Sequence, residues 1–371
     1  MLEGLMPLFM DRHIGLNATA KSVAEAHQMD LKIQKQFKCK ALTYWYEEGK
    51  RIAFCLIEAP NKEAVEEMHR NSHGLIPNQI IEVQSNVVEF FLGRIADPAK
   101  VNHTEQFINE TAFRIILFID CKRIITKSKL STNEKTEISA ILNNVIRPAL
   151  NEFDGTEVKI NHDGIMASFT SISKSINCAL KIQKRISEIN NKLKGCEVLA
   201  SIGLSSGYPF TNGNDFFGET VLLAKRLSEI AKENNIVLSN DFKNEFVRKE
   251  TMSKKNLVRI TNPVEEKFLN SLMELIEKVW NDEDFNVVDF GKKIGLSKAQ
   301  LYRKIIALTG QSPNDFIKNY RLNRALKLLS NKHGNISEIA FETGFSTPAY
   351  FSKCFQKRFG ILPSEYANSI T

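Results

Sequence analysis

The sequence predicts a multidomain chain of 371 residues, with an α+β domain first, an α/β domain in the middle and an all-α domain last. Three observations carry this. Residues 6–84 read strand, helix, strand, strand, helix, strand. Residues 111–248 alternate apolar strand-like runs with long amphipathic helices. Residues 287–355 say nearly the same thing twice, each time as a short helix pair around a glycine turn. A chain of this length holds two or three domains.

The first domain is expected over 1–92. MPLFMDRH is a short strand, and Ala18 to Phe37 forms an amphipathic helix. KALTYWYEEGKRIAFCLIEA is a hairpin turning at Glu48-Gly49. NKEAVEEMHRNSHG is a second helix and QIIEVQ closes the set. That order suits a ferredoxin-like fold. Four of the seven histidines lie here: His13, His27, His69 and His73. His69 and His73 are four apart and so share a helix face. Two imidazoles at that spacing can hold one metal ion, the alternative being a surface pair. His13 ends a strand that such a fold brings near that helix. MPLFMDRH, AEAHQMDL, LTYWYEEGKRIAFCLIEAP and EAVEEMHRNSHGLIP are similar to a family of small nickel-binding proteins of ferredoxin-like fold. The resemblance implies a sensor of a transition metal (nickel or similar) or a small effector. Its ligands would be His13, His69 and His73, with His27 a weaker candidate.

Residues 93–110 are polar, carry a Pro, and read as a linker. The middle domain follows over 111–258. FRIILFID is a strand ending in Asp120. VKINHDGIMASF is a hairpin whose turn presents Asp163. ISKSINCALKIQKRISEINNKL is a long helix, VLASIGLSSGYPF a strand, FFGETVLLAKRLSEIAK a helix and NIVLSND a late strand. Two acids at strand ends can converge on divalent cations. Over about 111–248 these words resemble the catalytic domain of class III nucleotidyl cyclases. The resemblance implies that Asp120 and Asp163 hold Mg or Mn. It implies that Lys159 selects a purine and that Arg226 steadies phosphate.

The departures from that family point away from catalysis. Its Asn, four before the Arg, is Leu222. Its small loop after the first Asp is Cys121-Lys122-Arg123, and its Gly before the second Asp is His162. Losing one transition-state donor costs about 10²–10³ in rate. The expectation is a degenerate cyclase-like domain, kept for pairing two chains or for binding a ligand. The alternative is an active nucleotidyl cyclase fused to a DNA-binding domain.

The last domain is expected over 265–371. VVDFGKKIGLSKAQLYRKI and ISEIAFETGFSTPAYFSKCF form a tandem helix-turn-helix. Val287, Phe290, Ile294 and Leu296 turn inward in the first unit, as do Leu301, Ile305 and Leu308. Gly295 suits the left-handed turn and Ser297 caps the next helix. Lys298, Ala299, Tyr302 and Arg303 then face out. In the second unit Ile336, Ile339, Ala340, Phe345, Phe351 and Phe355 turn inward. Thr347, Pro348, Ala349, Tyr350, Ser352 and Lys353 face out, with Lys357 as a phosphate contact. Arg303 and Lys353 are equivalent after a one-residue shift. Between the units, Ser312, Pro313 and Asp315 start a helix of about 17 residues, about 25 Å long. LSKAQLYRKIIALTGQSPNDFIKNYRLNRALKLL and ISEIAFETGFSTPAYFSKCFQKRFGILPSEY resemble the DNA-binding domain of the AraC/XylS transcription regulators. The resemblance implies double-stranded DNA as partner.

Charge agrees with that partner. The chain is +7, and residues 291–371 hold thirteen Lys/Arg against four Asp/Glu. Cations are concentrated where phosphates would be met. No apolar run reaches about 18 residues, so no membrane span is expected. The six cysteines are scattered without a C-x-x-C pair and read as reduced thiols in a cytoplasmic protein.

Overall fold

The computed structural model describes residues 6–15, 17–98, 108, 110–125, 141–158, 164–192, 196–211, 213–232, 234–244 and 257–369. Strands β1 (Leu8–Ile14), β2 (Lys40–Glu47), β3 (Ile52–Glu58) and β4 (Gln79–Val83) form an antiparallel sheet of order β2-β3-β1-β4. Helices α1 (Ala20–Ile33) and α2 (Lys62–Ser72) connect them. Thr19 and Ser22 cap α1 reciprocally, and the Asn61 side chain accepts from the Ala64 amide at the start of α2.

Alternation along β1 sends its residues to two different interiors. Phe9 packs with Ile57, Val65 and Met68 beneath the helices. Met10 joins Trp45, Phe54 and Leu56, and that cluster continues into Ile116, Phe118, Met166 and Phe210 of the middle domain. The two domains therefore share one core. Helix α3 (Ser85–Leu92), which the sequence reading left unassigned, seals the joint. The Arg114 guanidinium donates to the Phe91 carbonyl at 2.9 Å and to that of Leu92 at 3.1 Å.

The expected linker differs from its description. Its described residues are seated on the first domain. Arg94 donates to Glu110 at 3.1 Å, to the Tyr44 carbonyl at 2.6 Å and to the Thr43 hydroxyl. The Asp97 amide donates to the Leu42 carbonyl at 3.0 Å. The Arg94 side chain and the Asp97 amide thereby satisfy carbonyls of the edge strand β2.

The middle sheet has order β10-β9-β8-β5-β7-β6. Its strands are β5 (Arg114–Ile125), β6 (Thr156–Val158), β7 (Ile165–Phe169), β8 (Cys196–Gly207), β9 (Ile236–Leu238) and β10 (Val258–Ile260). Helices α4 (Arg147–Glu152) and α5 (Ile172–Asn190) cover one face, where Ile115, Leu117 and Ile119 meet Ile182 and Ile186. Helix α6 (Gly218–Ile230) crosses the other. It lies so close that a Cβ on Gly203 would sit 2.0 Å from the Ala224 carbonyl oxygen.

The last domain is all helical: α7 (Pro263–Val279), α8 (Val287–Ile294), α9 (Lys298–Thr309), α10 (Pro313–Ser330), α11 (Ile336–Glu342), α12 (Pro348–Phe359) and α13 (Pro363–Ser369). Leu227 and Ile230 of α6 pack with Leu269, Leu272 and Phe290, tying the first helix pair to the middle domain. The second pair has a core of its own residues, including Phe345, Phe351, Phe355 and Phe359. Among the described residues no helix is long and apolar enough to cross a membrane.

Candidate metal centre and nucleic-acid interface

The fold gathers the N-terminal histidines around His69. Its ring centroid lies 5.2 Å from that of His13 and 4.9 Å from that of His73, with His13 and His73 6.4 Å apart. The three do not form one compact set. His13 and His69 converge with Asp11 and Cys55, while His69 and His73 converge with Asp30. Within each set the ligand atoms lie within 4.8 Å of one another. Asp11, Asp30 and Cys55 were missed from sequence. Asp11 was findable, because it stands two before His13 and shares its strand face. Cys55 lies opposite Asp11 in the β1–β3 register. Asp30, on α1, gave no local signal.

The cluster is almost closed to water, with Asp11 and His69 both at 0% exposure. His69 Nε2 lies 2.7 Å from Asp11 Oδ2, and His69 Nδ1 lies 3.3 Å from Asp30 Oδ2. Burial pushes the His69 pKa down, but Asp11 and Asp30 outweigh it and raise it to about 10. Burial likewise pushes both carboxyls up, and their histidine partners overcome this and hold them below the usual carboxylate range. Burial beside those carboxylates pushes the Cys55 thiol well up. Imidazole, carboxylate and sulfur donors together suit a borderline transition metal, so these residues fit such an ion. His27 stands apart. Its Nε2 pairs with Asp97 at 3.1 Å and its ring leans on Tyr44.

The cyclase-like residues meet a different fate. Lys159 and Asp163 lie outside the described residues. Asp120 lies on β5, opposite Ser201. The segment that stands in place of the family's small loop is strand. Cys121, Lys122 and Arg123 continue β5 and pair with Ala200, Leu199 and Val198. Backbone amides engaged in a ladder are not presented to phosphate. Arg226 is turned toward the last domain. It is 3% exposed and directed at α7, donating to Asn270 at 2.9 Å, with Glu277 at 3.5 Å and Glu274 at 3.7 Å. An apolar α6 packed on α7 leaves this guanidinium no route to water, so it takes the acids opposite. Leu222 is exposed.

In the last domain the two turns are built alike but not identically. Gly295 (φ 75°) and Gly344 (φ 74°) both adopt the left-handed conformation. Ser297 and Gln300 cap α9 reciprocally. The second turn holds one more residue, so Thr347 rather than Ser346 caps α12, accepting from the Tyr350 amide at 3.2 Å. Leu301, Ile305 and Leu308 are buried, as are Phe351 and Phe355. Lys298, Ala299, Tyr302 and Arg303 are exposed on α9. On the second unit Thr347, Ala349, Tyr350, Lys353 and Lys357 are exposed, while Pro348 and Ser352 are half-buried. Gln300 is exposed beside this set and is held by its capping contact with Ser297. Helix α10 is capped by Ser312, with Pro313 first and Asp315 third. Its 18 residues span about 27 Å at about 1.5 Å each. Arg321 on α10 donates to the Trp280 carbonyl at 2.7 Å. A Cβ on Gly344 would lie 2.9 Å from that same oxygen.

Two family models match the chain. One describes a helix-turn-helix domain, over residues 290–369, and the other a nickel responsive protein, SCO4226-like, over residues 9–83. A histidine kinase P4 from Formosa agariphila is 42% identical over 105 residues, covering 28% of this chain and 8% of that protein. The chain spans between 8% and 37% of the length of the first curated relatives it matches. Among solved structures, a transcriptional regulator with an AraC-type DNA-binding domain from Chromobacterium violaceum is 29% identical. It covers 30% of this chain and 97% of its own, with TM-score 0.27. An adenylate/guanylate cyclase/hydrolase from Silicibacter pomeroyi is 22% identical, covering 38% of this chain and 82% of its own, with TM-score 0.30.

Proposed function

We propose that this chain, with an AraC-type helix-turn-helix domain at one end and a nickel-responsive-type domain at the other, is a metal-responsive transcription regulator. The observation that supports it most is the pair of capped helices, α9 and α12, each presenting a polar and cationic face to solvent. Lys298, Ala299, Tyr302, Arg303, Thr347, Pro348, Ala349, Tyr350, Ser352 and Lys353 would meet base edges or the backbone, and Lys357 a phosphate. The domains would run 1–92, 111–258 and 265–371. Selection of duplexes from a random pool by the full chain at low salt tests this. Failure to enrich any sequence would sink the reading.

Asp11, His13, Cys55 and His69, with Asp30 and His73 beside them, would hold the metal, nickel first. A bound ion would offer Lewis-acid coordination that draws strand β1 and the two helices together. Calorimetry of the full chain with Ni²⁺ should show binding, lost in His69→Ala. Equal affinity in the variant would remove the site.

The middle domain would serve as a scaffold without turnover, and a two-fold pair of chains would match repeated half-sites. Support comes from Leu222 in place of the amide side chain and from Arg226 held by α7. Cyclic nucleotide formed from ATP or GTP with Mn²⁺, and abolished by Asp120→Ala, would instead establish the cyclase. Light scattering that gives a monomer at micromolar concentration would refute the pair.

A further inference from the structure

A cavity of about 470 Å³ lies where the middle domain meets the helix-turn-helix domain. Asp120 and Glu229 line it from β5 and α6, and Lys232 follows α6. Arg324 and Lys327 of α10 and Arg358 of α12 line it from the other side. Four cationic groups thus face two carboxylates. Tyr320, Phe316 and Met273 add apolar surface. Glu229 and Asn323 each keep one side-chain oxygen buried without a hydrogen-bond partner among the described residues. A buried acceptor left without a donor is costly, and native proteins rarely keep one without a reason. Burial raises the Glu229 carboxyl, with Lys225, Arg324 and Lys327 opposing that rise.

We propose that this cleft binds a free amino acid, its ammonium on Glu229 and Asn323 and its carboxylate on Arg324 and Lys327. Carboxylate and cationic groups lining one cleft select a zwitterion over a simple anion or amine. The volume lies within the usual range for small-molecule sites and leaves room for a large side chain against Tyr320 and Phe316. The ligand would touch α6 of the middle domain and α10, the helix that joins the two reading units. Occupancy would brace one against the other. The site stands whether or not the chain binds DNA, and its test uses no DNA.

Each standard amino acid is added in turn, at millimolar concentration, to the full chain, and the melting temperature is read. At least one with a bulky apolar or aromatic side chain should raise it. Calorimetry then compares that amino acid with the matching carboxylic acid lacking the amine, which should not bind. Glu229→Gln should weaken binding by more than about tenfold. It should do so without lowering the melting temperature of the ligand-free chain, because a buried carboxylate oxygen that no donor meets is replaced by a neutral amide. Lys327→Gln should weaken binding at the carboxylate end. The proposal is overturned if no amino acid shifts the melting temperature, if the deaminated acid binds equally well, or if both variants bind like wild type.

Discussion

The two helix-turn-helix units share a motif but not a foundation. The first has no core of its own: Phe290, Leu301 and Ile305 are buried in one cluster with Leu227 and Ile230 of the middle domain. The second encloses its own cluster, in which Phe345, Phe351, Phe355 and Phe359 pack with Leu322, Leu326 and Leu329 of α10 and Ile339 of α11. It reaches the first through α10 and through the seam at Gly344, Arg321 and Trp280. The duplicated motif therefore rests on two foundations. The first unit shares its core with the middle domain, while the second keeps its own core and touches both the first unit and β5 of the middle domain.

The sharpest way to break this comparison is to empty each core. Phe355→Ala should cost about 3–5 kcal/mol. Hydrogen exchange should then rise across 336–369 while 263–310 stays protected. Phe290→Ala should instead loosen α6 and α7 together with α8. If Phe355→Ala loosens α6 equally, the second unit is not separate. The glycines give the next effect. Gly295 has open space where a Cβ would go, so Gly295→Ala carries only the backbone penalty, about 1–2 kcal/mol. Gly344→Ala adds a collision with the Trp280 carbonyl and should destabilise more, by thermal denaturation. Arg303→Ala and Lys353→Ala should each cost about 1–3 kcal/mol in binding a selected duplex if the side chain meets a base edge. Lys357→Ala should weaken all sequences alike and lower the salt slope by about 1. Smallest are the caps. Ser297→Ala and Thr347→Ala should each lose about 1 kcal/mol, equal within error, since one turn merely holds an extra residue.

What was legible in the sequence was local. The strand–helix order of 6–84 follows from alternation and caps within a few residues, and so do Gly295, Ser297 and Ser312. The metal candidates were half legible. His69 and His73 announce themselves at helical spacing, whereas Asp30 is a lone acid on another helix that only the tertiary fold brings near. The surroundings of Arg226 were not legible, because its partners, Asn270 and Glu277, lie 44 and 51 residues further on. Helix α3 was missed for lack of a start signal: Gln84 makes no side-chain cap.

The chain has two tryptophans, and the fold sets them at opposite ends of its logic. Trp45 is fully buried with the Arg94 guanidinium 4.4 Å from its ring centre. Trp280 closes helix α7 at the seam, half-exposed, its carbonyl held by Arg321 and the Arg324 guanidinium 5.9 Å from its ring. Nature has thus supplied two intrinsic fluorophores of different colour. The shielded indole should emit toward the blue and report on the joint beneath the first sheet. The wetter one should emit toward the red and respond when the packing at the seam between the two units changes. With Trp45→Phe, the remaining emission comes from that seam alone, and its wavelength can be followed in real time as metal, amino acid or duplex is added.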